Sequence, residues 1–200
     1  MLKEFNSAII LAGGKSSRMK FNKALVQIGE KTCMEIIIEK LKREFNELII
    51  VTKNKNIFPF AGVKVVEDEL DGYSPAIGLY SGLIASGSLY NYLIACDMPF
   101  ISLRAIYELR NSIEKGSEVI AFSKDGFIQP FNAVYSKKLI PRIEYNLKKG
   151  EKGLFRLIKS SKLVELDIKN LPFKFDERVF SNINTMKDLE LIKEKYCDID

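Results

Sequence analysis

Two hundred residues, 46% of them hydrophobic, are enough for one domain with a sizeable core, and no apolar run approaches the ~20 residues of a membrane-spanning helix. The complete absence of histidine excludes His-based general acid–base chemistry, the serine and cysteine triads that use it, and most zinc sites. A formal charge of +5, spread over scattered lysines such as Lys137-Lys138 and Lys148-Lys149 and lacking an aromatic–basic repeat, gives no support to nucleic-acid binding.

Lys3 and Glu4 lead directly into the first apolar run, so no signal peptide is expected. The cysteines at 33, 96 and 197 are odd in number, widely spaced and without a C-x-x-C, which reads as reduced thiols of a cytoplasmic protein. The run Ser7-Ala8-Ile9-Ile10-Leu11 suits a fully buried strand. It opens into Ala12-Gly13-Gly14-Lys15-Ser16-Ser17-Arg18-Met19, with Lys23 following. Glycine permits positive φ and lets a ligand approach without a Cβ in the way. Main-chain amides, hydroxyls and cations in such a turn are what a polyphosphate needs. The Walker spacing requires glycine five positions before Gly14, where Ile9 stands. The dinucleotide fingerprint requires Gly-x-Gly-x-x-Gly, and Gly13 and Gly14 are adjacent. The bland alternative is a strand–turn loop whose cations are merely solvated.

Beyond the loop, the spacing predicts a helix from Cys33 to Phe45 with Thr32 as N-cap, then strands at Leu48–Val51 and Val63–Val66. Gly72-Tyr73-Ser74-Pro75 breaks the chain. Ala76 to Ala85 follows as a helix whose Gly78 and Gly82 allow close packing or close approach of a ligand. Tyr92–Cys96 is the next strand and runs into Asp97-Met98-Pro99, and Ser102 caps a helix to about Lys115. The second half reads as strands at Glu118–Phe122, Phe131–Tyr135 and Leu163–Ile168, with helical stretches from Ser136 and from Glu151 to Lys159. Thr185 and Asp188 resemble a capping box at a last helix. Strands alternating with helices predict an α/β fold: a single-domain three-layer sandwich, Rossmann-like, with a mostly parallel sheet and helices on both faces. Ligands of such sheets sit beyond the carboxyl ends of the strands, where Gly13, Thr52, Asp68 and Asp97 all fall. Asp97 reads either as a turn former or as a hard-oxygen ligand for magnesium, and Asp68 either as part of a solvated acidic turn or as a site residue.

The pattern L-A-G-G-x-S-x-R-M followed by lysine resembles the signature of the MobA-like nucleotidyltransferases. The D-x-P after the fourth strand, Ser74-Pro75-Ala76-Ile77-Gly78 against the family's G-P-L-x-G, and Asn182-Ile183-Asn184-Thr185 before Asp188 extend the resemblance from about Ser7 to Leu189. Asn22 stands where the family usually carries aspartate, and Thr52 where it often carries asparagine. The resemblance implies transfer of GMP from GTP to the terminal phosphate of molybdopterin, with release of pyrophosphate. It implies Leu11, Ala12, Gly13, Gly14, Lys23, Thr52, Asp68 and Asp97 as nucleotide-binding residues. Arg18, Lys23 and Asp97 would be catalytic, Asp97 would hold Mg²⁺, and Asn182 and Asn184 would face the acceptor. Gly13, where related cytidylyltransferases carry alanine, points to guanine. The N-terminal half, about 1–100, would bind nucleotide and the C-terminal half, about 101–200, the acceptor. A monomer is expected, with other molybdenum-cofactor biosynthesis proteins and molybdoenzyme chaperones as transient partners and neither nucleic acid nor membrane as a partner. Two alternatives stay open: a nucleotidyltransferase using CTP or acting on a sugar phosphate, and a non-catalytic carrier of molybdopterin or nucleotide, for which Asn22 leaves room.

Overall fold

The computed structural model describes residues 4–13, 23–58, 60–68 and 72–196. Strand β1 (Phe5–Leu11) is buried along Ser7 to Ile10. Strands β2 (Gln27–Ile28) and β3 (Lys31–Thr32) form a small hairpin apart from the main sheet. Helix α1 (Cys33–Leu41) starts on a complete capping box: the Thr32 hydroxyl accepts from the Glu35 N–H at 3.2 Å, and the Glu35 carboxylate accepts from the Thr32 N–H at 2.7 Å. The helix stops at Leu41 rather than at Phe45. Phe45 turns inward instead, its ring edge-on to Phe5 at 5.2 Å and stacked on Tyr92 at 5.6 Å, so tertiary packing overrides helical periodicity there.

Strands β4 (Glu47–Thr52) and β5 (Lys64–Glu67) precede helix α2 (Pro75–Ala85), which has Ser74 as N-cap and Pro75 in its first turn. Strand β6 (Tyr90–Ala95) leads to helix α3 (Leu103–Asn111), capped by Ser102. This helix ends short of Lys115: Ser112 N–H closes an α-helical bond to the Glu108 carbonyl, Ile113 N–H then tightens onto that of Arg110, and left-handed Gly116 follows. Strands β7 (Val119–Lys124), β8 (Phe127–Ile128) and β9 (Ala133–Ser136) follow, then helices α4 (Ile140–Lys148) and α5 (Leu154–Lys159), strand β10 (Leu163–Asp167) and helix α6 (Met186–Tyr196). Strand β9 starts two residues later than the apolar run suggests, since Asn132 is left-handed at φ 52° and cannot continue a strand.

The main sheet runs β10-β7-β9-β6-β1-β4-β5, with β8 paired to β7. Neighbours β6, β1, β4 and β5 are parallel, as are β10 and β7; β9 runs antiparallel to both β6 and β7. Successive residues of β1 face opposite ways. Ala8 and Ile10 join a core with α1, α3 and α6, while Ile9 joins one with α2, α4 and α5. Both faces are therefore covered, as the continuous apolar runs require of a parallel sheet. No helix among the described residues is long and apolar enough to cross a membrane.

The α2 glycines turn out to serve packing. A Cβ on Gly82 would lie 2.6 Å from Ile9 Cγ2, and one on Gly78 3.0 Å from Leu11 Cδ2. Ile9 is β-branched and fully buried, so it cannot move aside. Gly82→Ala gains about 1 kcal/mol of helix propensity but overpacks the interface by about 1–3 kcal/mol. A net loss of stability is expected, read as a lower Tm in thermal unfolding; a raised Tm would show slack between α2 and β1.

Candidate active site

The carboxyl ends of β5, β4, β1 and β6 lie side by side on one edge. The ladder continues one residue beyond each strand. Ala12 N–H donates to the Val51 carbonyl at 2.8 Å, Cys96 N–H to Leu11 at 3.0 Å, and Asp68 N–H to Thr52 at 2.7 Å. Leu11 itself pairs with both Val51 and Ala95. These bonds bring Leu11, Ala12 and Gly13 between Thr52 and Asp68 on one side and Cys96 and Asp97 on the other. Gly14 and Arg18 lie outside the described residues. Of Lys23 only the main chain is described, at the start of the short 3₁₀ turn Lys23–Leu25. Gly13 is not left-handed, and among the described residues a Cβ there would meet nothing within 4 Å. Of the two properties glycine offers, the lack of a Cβ is the one that bears on Gly13.

Thr52 reaches the expected edge, but its buried hydroxyl is engaged in a local turn. It accepts from the Asn54 N–H at 3.2 Å and donates to the Asn54 carbonyl at 3.4 Å. That turn delivers Lys53 toward β5. The Lys53 ammonium donates to the Asp68 main-chain carbonyl at 2.9 Å and sits 3.4 Å from Asp68 Oδ2. Ser81 Oγ, from α2, donates to Asp68 Oδ1 at 3.2 Å. Asp68 is buried, 7% exposed, and so is an oriented carboxylate rather than part of a solvated acidic turn. The sequence reading passed over Lys53; the signal for it was a cation directly beyond a buried strand on the ligand-binding edge.

Asp97 follows β6 in a turn closed by Met98 N–H on the Ala95 carbonyl at 3.2 Å. Its own carbonyl accepts from Ile183 N–H at 2.9 Å. Ile183 is buried, and exposed Asn182 and Asn184 flank it, so the structure brings both asparagines beside Asp97. Thr185 and Asp188 form the expected capping box: Asp188 Oδ2 accepts from the Asn184 and Thr185 N–H groups at 2.9 and 2.8 Å, and the Thr185 hydroxyl accepts from Asp188 N–H at 3.1 Å. The chain from Asp176 to Thr185 forms a strap across this edge. It is held by the Lys124–Glu177 ion pair at 2.6 Å, by Asn132 Nδ2 donating to the Val179 carbonyl at 2.8 Å, and by the Ile183–Asp97 bond.

On the other side of Asp97, Cys33 donates its thiol to the Cys96 carbonyl at 3.1 Å. Burial pushes that thiol well above its ordinary pKa, and Cys96 and the Asp97 carboxylate push the same way. Cys33 therefore stays a neutral thiol, neither a nucleophile nor a soft metal ligand. Neither Cys33 nor Cys96 is joined in a disulfide among the described residues, and Cys197 lies outside them. No group of three or more Cys, Asp or Glu side chains converges among the described residues. A cation here would share one carboxylate with ligand oxygens. That donor set fits magnesium, which is commonly held by one or two carboxylates and substrate phosphates.

This arrangement agrees with what the chain is similar to. The MobA-like NTP transferase domain model matches residues 8–166. A protein of Peptoclostridium acidaminophilum named probable molybdenum cofactor guanylyltransferase is 37% identical, with 94% of this chain and 88% of that protein covered. The molybdenum cofactor guanylyltransferase of Syntrophotalea carbinolica is 36% identical, covering 94% of this chain and 90% of its own. The fold is shared with the crystal structure of molybdopterin-guanine dinucleotide biosynthesis protein A from Archaeoglobus fulgidus, at a TM-score of 0.83 and 21% identity over 96% of this chain and 99% of that one. With a family match spanning most of its length and a glycine loop, buried carboxylate and strand-end aspartate on one sheet edge, this chain belongs to the MobA-like NTP transferases.

Proposed function

We propose that this nucleotidyltransferase moves GMP from GTP to the terminal phosphate of molybdopterin. The single observation carrying this reading is the row of Asp68, Thr52, Gly13 and Asp97 at the ends of four adjacent parallel strands. Strands lie about 4.8 Å apart, so β5 and β6 are separated by three spacings, roughly 14 Å. A nucleoside triphosphate laid along that edge reaches from Asp68 to Asp97. The cation and phosphates belong at the Asp97 end, which leaves the base at the end formed by Asp68 and Lys53.

The chemistry follows from charge. The acceptor phosphate is ionised at neutral pH, so its oxygen attacks the α-phosphorus with no protein base, in keeping with a chain that has no histidine. A new P–O–P bond forms, the bond from the α-phosphorus to its bridging oxygen breaks, and pyrophosphate leaves with the electron pair. The amides from Leu11 to Gly14 hold the triphosphate, and Arg18 and Lys23 offset charge on the transferring and leaving groups. Asp97 would hold Mg²⁺, which when bound would neutralise charge on phosphate oxygens. Asn182 and Asn184 border the acceptor, so the first half of the chain serves the nucleotide and the second half the acceptor.

Calorimetric titration with Mg²⁺ and each nucleotide in turn tests the base, and product mass after mixing GTP with molybdopterin tests the transfer. Binding of GTP but not of the other nucleotides, and a product heavier by one guanylyl group (GMP less water), are expected. Preference for CTP or UTP would reassign the donor, and GTP binding without pyrophosphate release would make the chain a carrier.

A further inference from the structure

The Lys53–Asp68 pair is more than a tie between β4 and β5. We propose that Lys53 is a specificity-determining residue that donates to O6 of guanine while Asp68 accepts from the other groups of the same base edge; this rests on the guanine reading above. Along its pairing edge guanine presents one acceptor, O6, and then two donors, N1–H and the 2-amino group. An ammonium beside a carboxylate presents the complement: donor, then acceptors. Cytosine offers a donor followed by two acceptors, and adenine a donor followed by an acceptor, so both set like against like at this pair. Uracil matches at two positions but turns its last carbonyl toward the carboxylate.

The geometry suits such a role. The 2.9 Å bond fixing Lys53 goes to the main-chain carbonyl of Asp68, whereas Oδ2 stands off at 3.4 Å, longer than a full charge-assisted hydrogen bond. The ammonium is thus held beside the carboxylate, with its shorter bond to the main chain. Its three donors swivel on a flexible stem, so it can turn to a ligand oxygen while keeping the carbonyl. Ser81 fixes Oδ1 from α2, which keeps the carboxylate from rotating away. Asp68 is nearly sealed from water and Lys53 only a quarter exposed, so both meet a base in a partly dry setting where mismatched polar groups are costly. Tyr73, whose ring lies 5.7 Å from the ammonium, borders the same corner.

The test compares GTP with two analogues by calorimetry in Mg²⁺, using the full chain and Lys53→Met, which keeps the apolar stem and removes the donor. The analogue 6-thio-GTP replaces O6 with a weakly accepting sulfur, and ITP lacks the 2-amino group. The wild type is expected to bind both analogues more weakly than GTP. Lys53→Met is expected to lose about 10- to 150-fold in GTP affinity, the range for a hydrogen bond to a charged group. It should no longer distinguish GTP from 6-thio-GTP, yet still reject ITP. Retained rejection of ITP shows that the Asp68 end of the site is intact, so a merely misfolded variant would not give this pattern. If Lys53→Met discriminates against 6-thio-GTP as the wild type does, the assignment is wrong and Lys53 only braces Asp68. If the wild type itself prefers CTP or UTP, the guanine reading fails and this one with it.

Discussion

Asp97→Asn is expected to lower turnover by about 10²–10³-fold with no loss of folding stability, the scale seen when one fixed group stabilising developing charge is removed. The substitution is nearly isosteric and touches only the side chain. The Asp97 carbonyl that anchors Ile183 is main chain and is unaffected, so the strap keeps its place. On the function proposed above, what disappears is the negative charge and hard-oxygen donor at the phosphate end of the edge. The described residues offer no group of three or more Cys, Asp or Glu side chains to take its place, so the cation would depend more heavily on phosphates and water. Steady-state rates over a magnesium titration, with thermal unfolding as control, provide the measurement. A variant that turns over at near wild-type rate would remove Asp97 from the mechanism.

The second large effect is expected at a residue with no chemical role. Asn132 is fully buried and left-handed at φ 52°, a conformation asparagine tolerates better than most side chains. Its Oδ1 accepts from the Tyr92 hydroxyl, and its Nδ2 donates to the Val179 carbonyl at 2.8 Å. Burial holds the Tyr92 hydroxyl far above its ordinary pKa, so it remains a donor in need of an acceptor. Asn132→Ala would leave two buried polar groups unpaired, each costing about 1–3 kcal/mol, and would strain the backbone besides. A loss of about 3–6 kcal/mol is expected in urea unfolding. Asn132→Gly relieves the backbone but not the lost bonds, so it should recover about 1 kcal/mol of that. Equal stability of wild type and Asn132→Ala would show that the strap does not depend on this hub.

How far the fold could be read from the sequence follows from where its physics is local. The buried runs of β1, β4 and β6, the Thr32, Ser74 and Ser102 caps and the Asp188 capping box are all set by neighbours in the chain, and they were legible. The end of α1 at Leu41 and the late start of β9 were not, because Phe45 is claimed by Phe5 and Tyr92, and Asn132 by Tyr92 and Val179, all distant in sequence. The two-residue strands β2, β3 and β8 are too short to show periodicity. The same divide runs through the site. Strand-end positions such as Gly13, Asp68 and Asp97 follow from the strands themselves, whereas the hold of Lys53 on Asp68 depends on a turn made by Thr52 and Asn54. The close fit of Gly82 on Ile9, one of the two readings the spacing left open, needed the three-dimensional crossing to be settled.

The reversed direction of β9 has a consequence for how such a catalyst can diversify. In a purely parallel sheet, only the segments that leave strands reach the reactive rim; those that enter strands emerge on the far rim. One strand laid the other way brings an entering segment, 129–132, to the reactive rim as well, and Asn132 there clasps the strap that carries Asn182 and Asn184. The molecule thus owns two independently adjustable sets of fingers, one on each flank of β6. On the function proposed above, insertions and substitutions on the β9 flank would remodel the acceptor side while leaving the strand ends assigned to the donor unchanged.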